Sequence, residues 1–130
     1  MSRPSSQHPT ELELRILKIL WEESPLPVRD IRKRLAEQGR DIAHTSVITT
    51  LNTMFEKSQL KRKKQGQAFL FSPRVAREDV SRQMLGDLVE RLFDGSAPAV
   101  MLSLFDCSEV DLDDVKELRK LINRKAKEQQ

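Results

Sequence analysis

Between Thr45 and Thr53 the chain reads TSVITTLNT, five hydroxyls and one amide in nine residues. Ser, Thr and Asn donate and accept hydrogen bonds without carrying charge. At helical spacing Val47, Leu51, Met54 and Phe55 fall on one face, which leaves Thr45, Thr49, Asn52 and Thr53 on another. Threonine is a mediocre helix former, so a solvent face this rich in it is an odd choice for solubility alone. It suits a surface that must lie against base edges and phosphates. Thr45, Ser46 and Thr49 are the candidates for base readout, with Asn52 and Thr53 on the same exposed side. His44, at the start of the segment, is either a phosphate contact or an ordinary surface residue. Seven residues after Thr53, LKRKKQGQAFLFSP begins and holds four consecutive bases, Lys61 to Lys64. Arg62, Lys63 and Lys64 are candidates for phosphate contacts, whose loss weakens binding to every sequence alike.

Other chemistries are excluded by what is missing. The four glycines do not cluster into a phosphate-cradling loop, and no carboxylate is arranged with a His or Cys as a nucleophile's partner, so no enzyme is expected. His8, His44 and Cys107 are too scattered for a dedicated zinc site, and no cofactor is expected. A single cysteine allows no intrachain disulfide and fits a reducing, cytoplasmic setting; a passive role for Cys107 is favoured over a redox switch. No apolar run approaches the ~20 residues of a spanning helix, so no membrane insertion is expected. The opening MSRPSSQHPTELE lacks the apolar core of a secretory signal, and residues 1–9 read as a flexible polar arm.

The elements that must position these residues can be placed from the same sequence. Thr10 followed by Glu13 is a capping-box signature ahead of ELELRILKILWEES. Leu12, Ile16, Ile19 and Leu20 form the helix's main apolar face, widened by Leu14, Leu17 and Trp21, and Pro25 and Pro27 stop it. A second helix starts near Val28, buries Val28, Ile31 and Leu35, carries Arg29, Arg32, Lys33 and Arg34 outward, and ends at Gly39. The hydroxyl-rich third helix follows. Leu60 to Pro73 then reads as a two-stranded hairpin with a basic first strand and a turn at Gln65-Gly66. Three helices and a basic hairpin within about 65 residues is the winged helix-turn-helix order, in which the third helix enters the major groove and the wing reaches a flanking phosphate or the minor groove.

The charge is asymmetric. Residues 1–74 hold 14 Lys/Arg against 8 Asp/Glu, and residues 75–130 hold 9 against 12. A basic half sized for one nucleic-acid module precedes an acidic half with another task. Residues 10–74 are expected to be the DNA-binding domain and residues 75–130 a helical dimerisation domain, giving a mainly α chain. In the second half, 76–93 is a long amphipathic helix ended by Asp94-Gly95; Ser96 caps a short one through VMLSLF; Asp111 or Asp113 caps the last. Their apolar stripes include Met84, Leu85, Leu88, Leu92, Leu102, Phe105, Leu118 and Ile122. About 55 residues of this kind have too little core to bury themselves. Pairing with a second copy is the simple solution, and it sets two reading helices on one duplex with a palindromic site.

These residues resemble the penicillinase-repressor family of winged-helix regulators, the BlaI/MecI group with its copper-responsive relatives. The resemblance runs from about Thr10 to Ile122 and rests on ELxILxxLW (Glu13 to Trp21), TSVITTLNTM (Thr45 to Met54), a hairpin turning at Gly66, Phe69 and Phe71 in its second strand, and FDGS (Phe93 to Ser96). It implies a homodimeric repressor that binds a palindromic operator through an N-terminal domain. In the best-known members it silences a β-lactamase or penicillin-binding-protein gene, and a membrane sensor protease relieves it by cleavage. It places Thr45, Ser46, Ile48 and Thr49 where relatives approach bases, and Gln65 and Gln67 at the wing tip. Thr53 and Gln67 stand where the family often has Arg, and Ser58 where it usually has Gly. The cleavable Asn-Phe bond aligns with Ser103-Leu104, which argues against induction by that cut, and RKAKEQQ offers no cysteines for copper. The readings to be separated are a specific repressor of double-stranded DNA, a non-specific architectural binder, and a winged-helix protein-interaction module.

Overall fold

The computed structural model describes residues 8–107 and 109–129. Most of the expected arm, residues 1–9, therefore lies outside the described residues. The elements are α1 (Glu11–Glu22), β1 (Leu26–Pro27), α2 (Val28–Glu37), α3 (His44–Glu56), β2 (Leu60–Gln65), β3 (Ala68–Pro73), α4 (Arg77–Leu92), α5 (Ala97–Cys107) and α6 (Leu112–Glu128). They fall into two compact units divided between Met84 and Leu85, inside α4.

The first unit is a winged helix-turn-helix. α1 opens with the expected capping box: the Glu13 amide donates to Thr10 Oγ1, and the Thr10 amide donates to the Glu13 carboxylate. Ile16, Leu17, Ile19 and Leu20 from α1, Ile31 and Leu35 from α2, and Val47, Leu51 and Met54 from α3 form its core with Leu26, Leu60 and Phe71. Glu13 is buried too, and its carboxylate is met 2.9 Å away by Lys57 Nζ from the end of α3. Trp21 is half-buried against this core and donates its indole N–H to the Val75 carbonyl at 2.9 Å, tying α1 to the residues just ahead of α4.

Helix ends show how the turns are fixed. α2 closes on Gly39, whose φ of +86° lets its amide reach the Ala36 carbonyl while Arg40 reaches Leu35. α3 closes in the same pattern, with the Ser58 amide on Phe55 and the Gln59 amide on Met54. Here a serine holds a φ of +64°, a left-handed conformation that strains a side chain with a Cβ.

The sheet differs from the expected two-stranded hairpin. β1 adds a short third strand, in the order β1-β3-β2, all antiparallel. Leu26, given no role from sequence, and Pro27, read there only as a helix stop, run extended against Phe71 and Leu70. Proline has no amide to donate, so an edge is the place it can occupy; Leu26 there completes the core. The wing turn is Gly66-Gln67, closed by Gln65 opposite Ala68, one residue later than the sequence suggested. Gly66 has a positive φ of 64° and Gln67 does not, the type II′ pattern that matches strand twist.

The second unit is helical. Ser96 Oγ accepts from the Ala99 amide at the start of α5, and Asp111 forms a capping box with Asp114 at the start of α6. Among the described residues of this unit none is buried.

Candidate nucleic-acid interface

Core packing of Val47, Leu51 and Met54 turns the opposite side of α3 to solvent. His44, Thr45, Ser46, Thr49, Asn52 and Thr53 are exposed there, and Ile48 is half-buried. Phe55, expected in the core, is only half-buried. The hydroxyls are not equivalent. Thr49 Oγ1 donates to the Thr45 carbonyl at 2.9 Å, and Thr50 Oγ1 to the Ser46 carbonyl at 2.9 Å. With their protons committed to the helix, Thr49 and Thr50 offer outward an acceptor oxygen and a methyl group. Thr45 and Ser46, in the first turn, make no such bond among the described residues. Ala43 provides no side-chain cap, so the first-turn amides at the positive end of α3 keep their hydrogens for an anion.

Basic residues flank this face on two sides. On α2, two of the four expected bases face the protein itself. Arg34 pairs with Glu22 and Glu23 at 2.9 and 2.8 Å, and Arg32 Nε donates to the Ile42 carbonyl at 2.8 Å. Arg29 and Lys33 stay exposed, Arg29 with Asp30 3.8 Å away, and together with Arg32, His44 and Asp41 they line a shallow hollow between α2 and α3. On the other side, β2 presents Lys61, Lys63 and Gln65 on one face of the wing and Arg62 and Lys64 on the other. Lys63, Lys64, Gln65 and Gln67 are exposed at the wing tip.

Arg62 is placed differently from its lysine neighbours. It is half-buried, and its guanidinium carbon lies 4.0 Å from the Phe55 ring centroid and 4.6 Å from that of Phe69. It also donates to Asn52 Oδ1 at 3.2 Å. A groove between α3 and the wing runs past this cluster, lined by His44, Ile48, Asn52, Gln67, Phe69 and residues of β1 and α2. The candidate reading residues and the wing thus share one concave side of the first unit. Arg29 and Lys33 are its unforeseen members. Their charge was plain in the sequence, but only the tertiary pairing of Arg32 and Arg34 separates them from those two.

The residues expected at a dimer contact are in the open. Leu85, Leu88 and Leu92 on α4, Leu102 and Phe105 on α5, and Leu118 and Ile122 on α6 are exposed, and Met84 is half-buried. No helix of the described residues is long and apolar enough to cross a membrane.

Comparison with known proteins places the chain. A family model described as penicillinase repressor matches residues 9–124. A penicillinase repressor of Bacillus licheniformis is 21% identical over 113 residues, covering 87% of this chain and 88% of that protein. The methicillin resistance regulatory protein MecI of Mammaliicoccus sciuri is 20% identical over 113 residues, covering 87% of this chain and 91% of MecI. Among solved structures, the solution structure of the DNA binding domain of the repressor BlaI aligns with a TM-score of 0.50 at 22% identity. It covers 61% of this chain and 93% of that domain, a likeness of fold.

Proposed function

The chain belongs to the penicillinase repressor family, and from that premise we propose that it is a DNA-binding transcriptional repressor acting as a homodimer on a palindromic operator. The observation that carries this is the exposed hydroxyl-and-amide face of α3, accompanied by exposed bases on both neighbouring elements, Arg29 and Lys33 on α2 and Lys63 and Lys64 on the wing. A helix entering the major groove needs uncharged donors and acceptors in the middle and cations at both edges, where the two phosphate backbones run. In this reading residues 10–74 bind the duplex and residues 75–130 pair two copies. Thr45, Ser46, Ile48, Thr49, Asn52 and Thr53 approach bases, while His44, Gln65 and Gln67 lie near the backbone. The task is binding in the cytoplasm, not catalysis.

Induction by a sensor protease would require local opening of α5, because Ser103 and Leu104 stand inside a continuous helix. The binding claim is tested by titrating a fluorescent duplex with the protein at rising salt. Log affinity should fall linearly with log salt, and Lys63→Met and Lys64→Met should each reduce the slope by about one. A salt-independent affinity, or no binding to any duplex, would refute the proposal and favour a protein-interaction module.

A further inference from the structure

The four bases of β2 invite one role, yet the structure separates Arg62 from the other three. Lys61, Lys63 and Lys64 are exposed, whereas Arg62 lies between two aromatic rings, one from α3 and one from β3. Phe55 and Asn52 stand three residues apart on α3, so both meet the guanidinium from the same helical face. Phe69 comes from the opposite strand of the wing. We propose that Arg62 is a positioning residue that braces the wing against the reading helix and, by holding Asn52 Oδ1, fixes which way the Asn52 amide is presented.

The chemistry requires an arginine. A planar guanidinium can stack on two rings at once and still donate in its own plane to an amide oxygen. A lysine ammonium keeps the charge but cannot do all three. The consequence for readout is specific. An asparagine that reads adenine in the usual bidentate way accepts from N6–H through its oxygen and donates to N7 through its NH₂. Here the oxygen is engaged by Arg62, so Asn52 reaches outward as a donor and favours an acceptor on the base edge. The brace also sets the distance between the base-reading face and the phosphate-binding wing tip. A change at Arg62 therefore alters selectivity without removing a phosphate contact.

The second part rests on the proposed DNA-binding function; the brace itself can be observed without DNA. In the free full-length protein, the Arg62 Nε–Hε NMR signal, identified by its loss in Arg62→Lys, should be displaced by ring currents and should return toward the exposed-arginine position in Phe55→Leu. A signal at the ordinary position in the wild type would overturn the brace. With a bound duplex, Arg62→Lys should leave the salt slope unchanged, while Lys63→Met lowers it by about one. Arg62→Lys should also lose about tenfold of the preference at the base pair whose preference Asn52→Ala abolishes, and the double variant should be no worse than Asn52→Ala. If Arg62→Met lowers the salt slope as Lys63→Met does, or Arg62→Lys keeps the wild-type preference, Arg62 is a phosphate contact and the positioning role is wrong. If the wild-type protein binds no duplex, the DNA-binding reading falls, and the NMR arm alone decides the brace.

Discussion

At the scale of single residues, side-chain chemistry is divided more finely than residue type suggests. Thr45 and Thr49 have the same side chain, but Thr49 gives its proton to the Thr45 carbonyl and faces outward as an acceptor. Arg62 and Lys63 are adjacent and both cationic, yet one is stacked and the other solvated. Neither distinction was legible in the sequence, because each depends on where the neighbouring backbone or ring sits. Ser58 was legible as a departure from glycine, and the structure gives it the left-handed φ that makes the departure unfavourable. Ser58→Gly should therefore stabilise the protein by about 0.5–1 kcal/mol, after allowing for the greater freedom of glycine in the unfolded chain. Urea unfolding at constant slope would show it as a raised midpoint; an unchanged or lowered midpoint would mean that the serine contributes a compensating contact.

Elements were legible where apolar spacing and caps agree. The Thr10 capping box, the three helices of the reader, Gly39, and an aspartate cap on the last helix, which the structure assigns to Asp111 and not Asp113, all follow from local signals that the tertiary structure keeps. β1 was not legible, since a strand of only Leu26 and Pro27 is too short to show a periodicity; its strand conformation comes from pairing with β3. How α1 is tied to the α2–α3 link was also hidden. Both Glu11 carboxylate oxygens accept from Arg40 Nη1 at 2.7 Å, and Arg15 binds the same carboxylate from one turn along the helix. Those hydrogen bonds, from Arg40 first and Arg15 second, hold the Glu11 carboxyl below its ordinary 4.5. A lowered folded-state value means stability that is present above the unfolded value and lost as pH falls through the folded one. The stability gap between wild type and Glu11→Gln should thus be open near pH 7 and close as acidification passes below the ordinary 4.5 and through the lowered folded-state value. The cluster is exposed, so salt should narrow the gap as well. A gap that does not change with pH would assign the effect of the substitution to something other than this ion pair.

At the scale of the whole molecule the two units contrast. The first has a core of fully buried side chains; in the second no described residue is buried, and leucines stand exposed on all three helices. That contrast was legible in outline as apolar stripes with too little chain to cover them. On the proposed reading a second copy covers them, and Leu88→Asp should give monomers by light scattering at micromolar concentration. A persistent dimer would move the contact elsewhere. The central claim is sequence-specific binding by a two-fold reader. Selection of bound duplexes from a random pool by the purified full chain, at about 150 mM salt so that purely electrostatic binding is suppressed, tests it most directly. The expected result is an enriched inverted repeat whose half-sites are spaced by about one helical turn or a multiple of it. Recovery of an unenriched pool would contradict the claim.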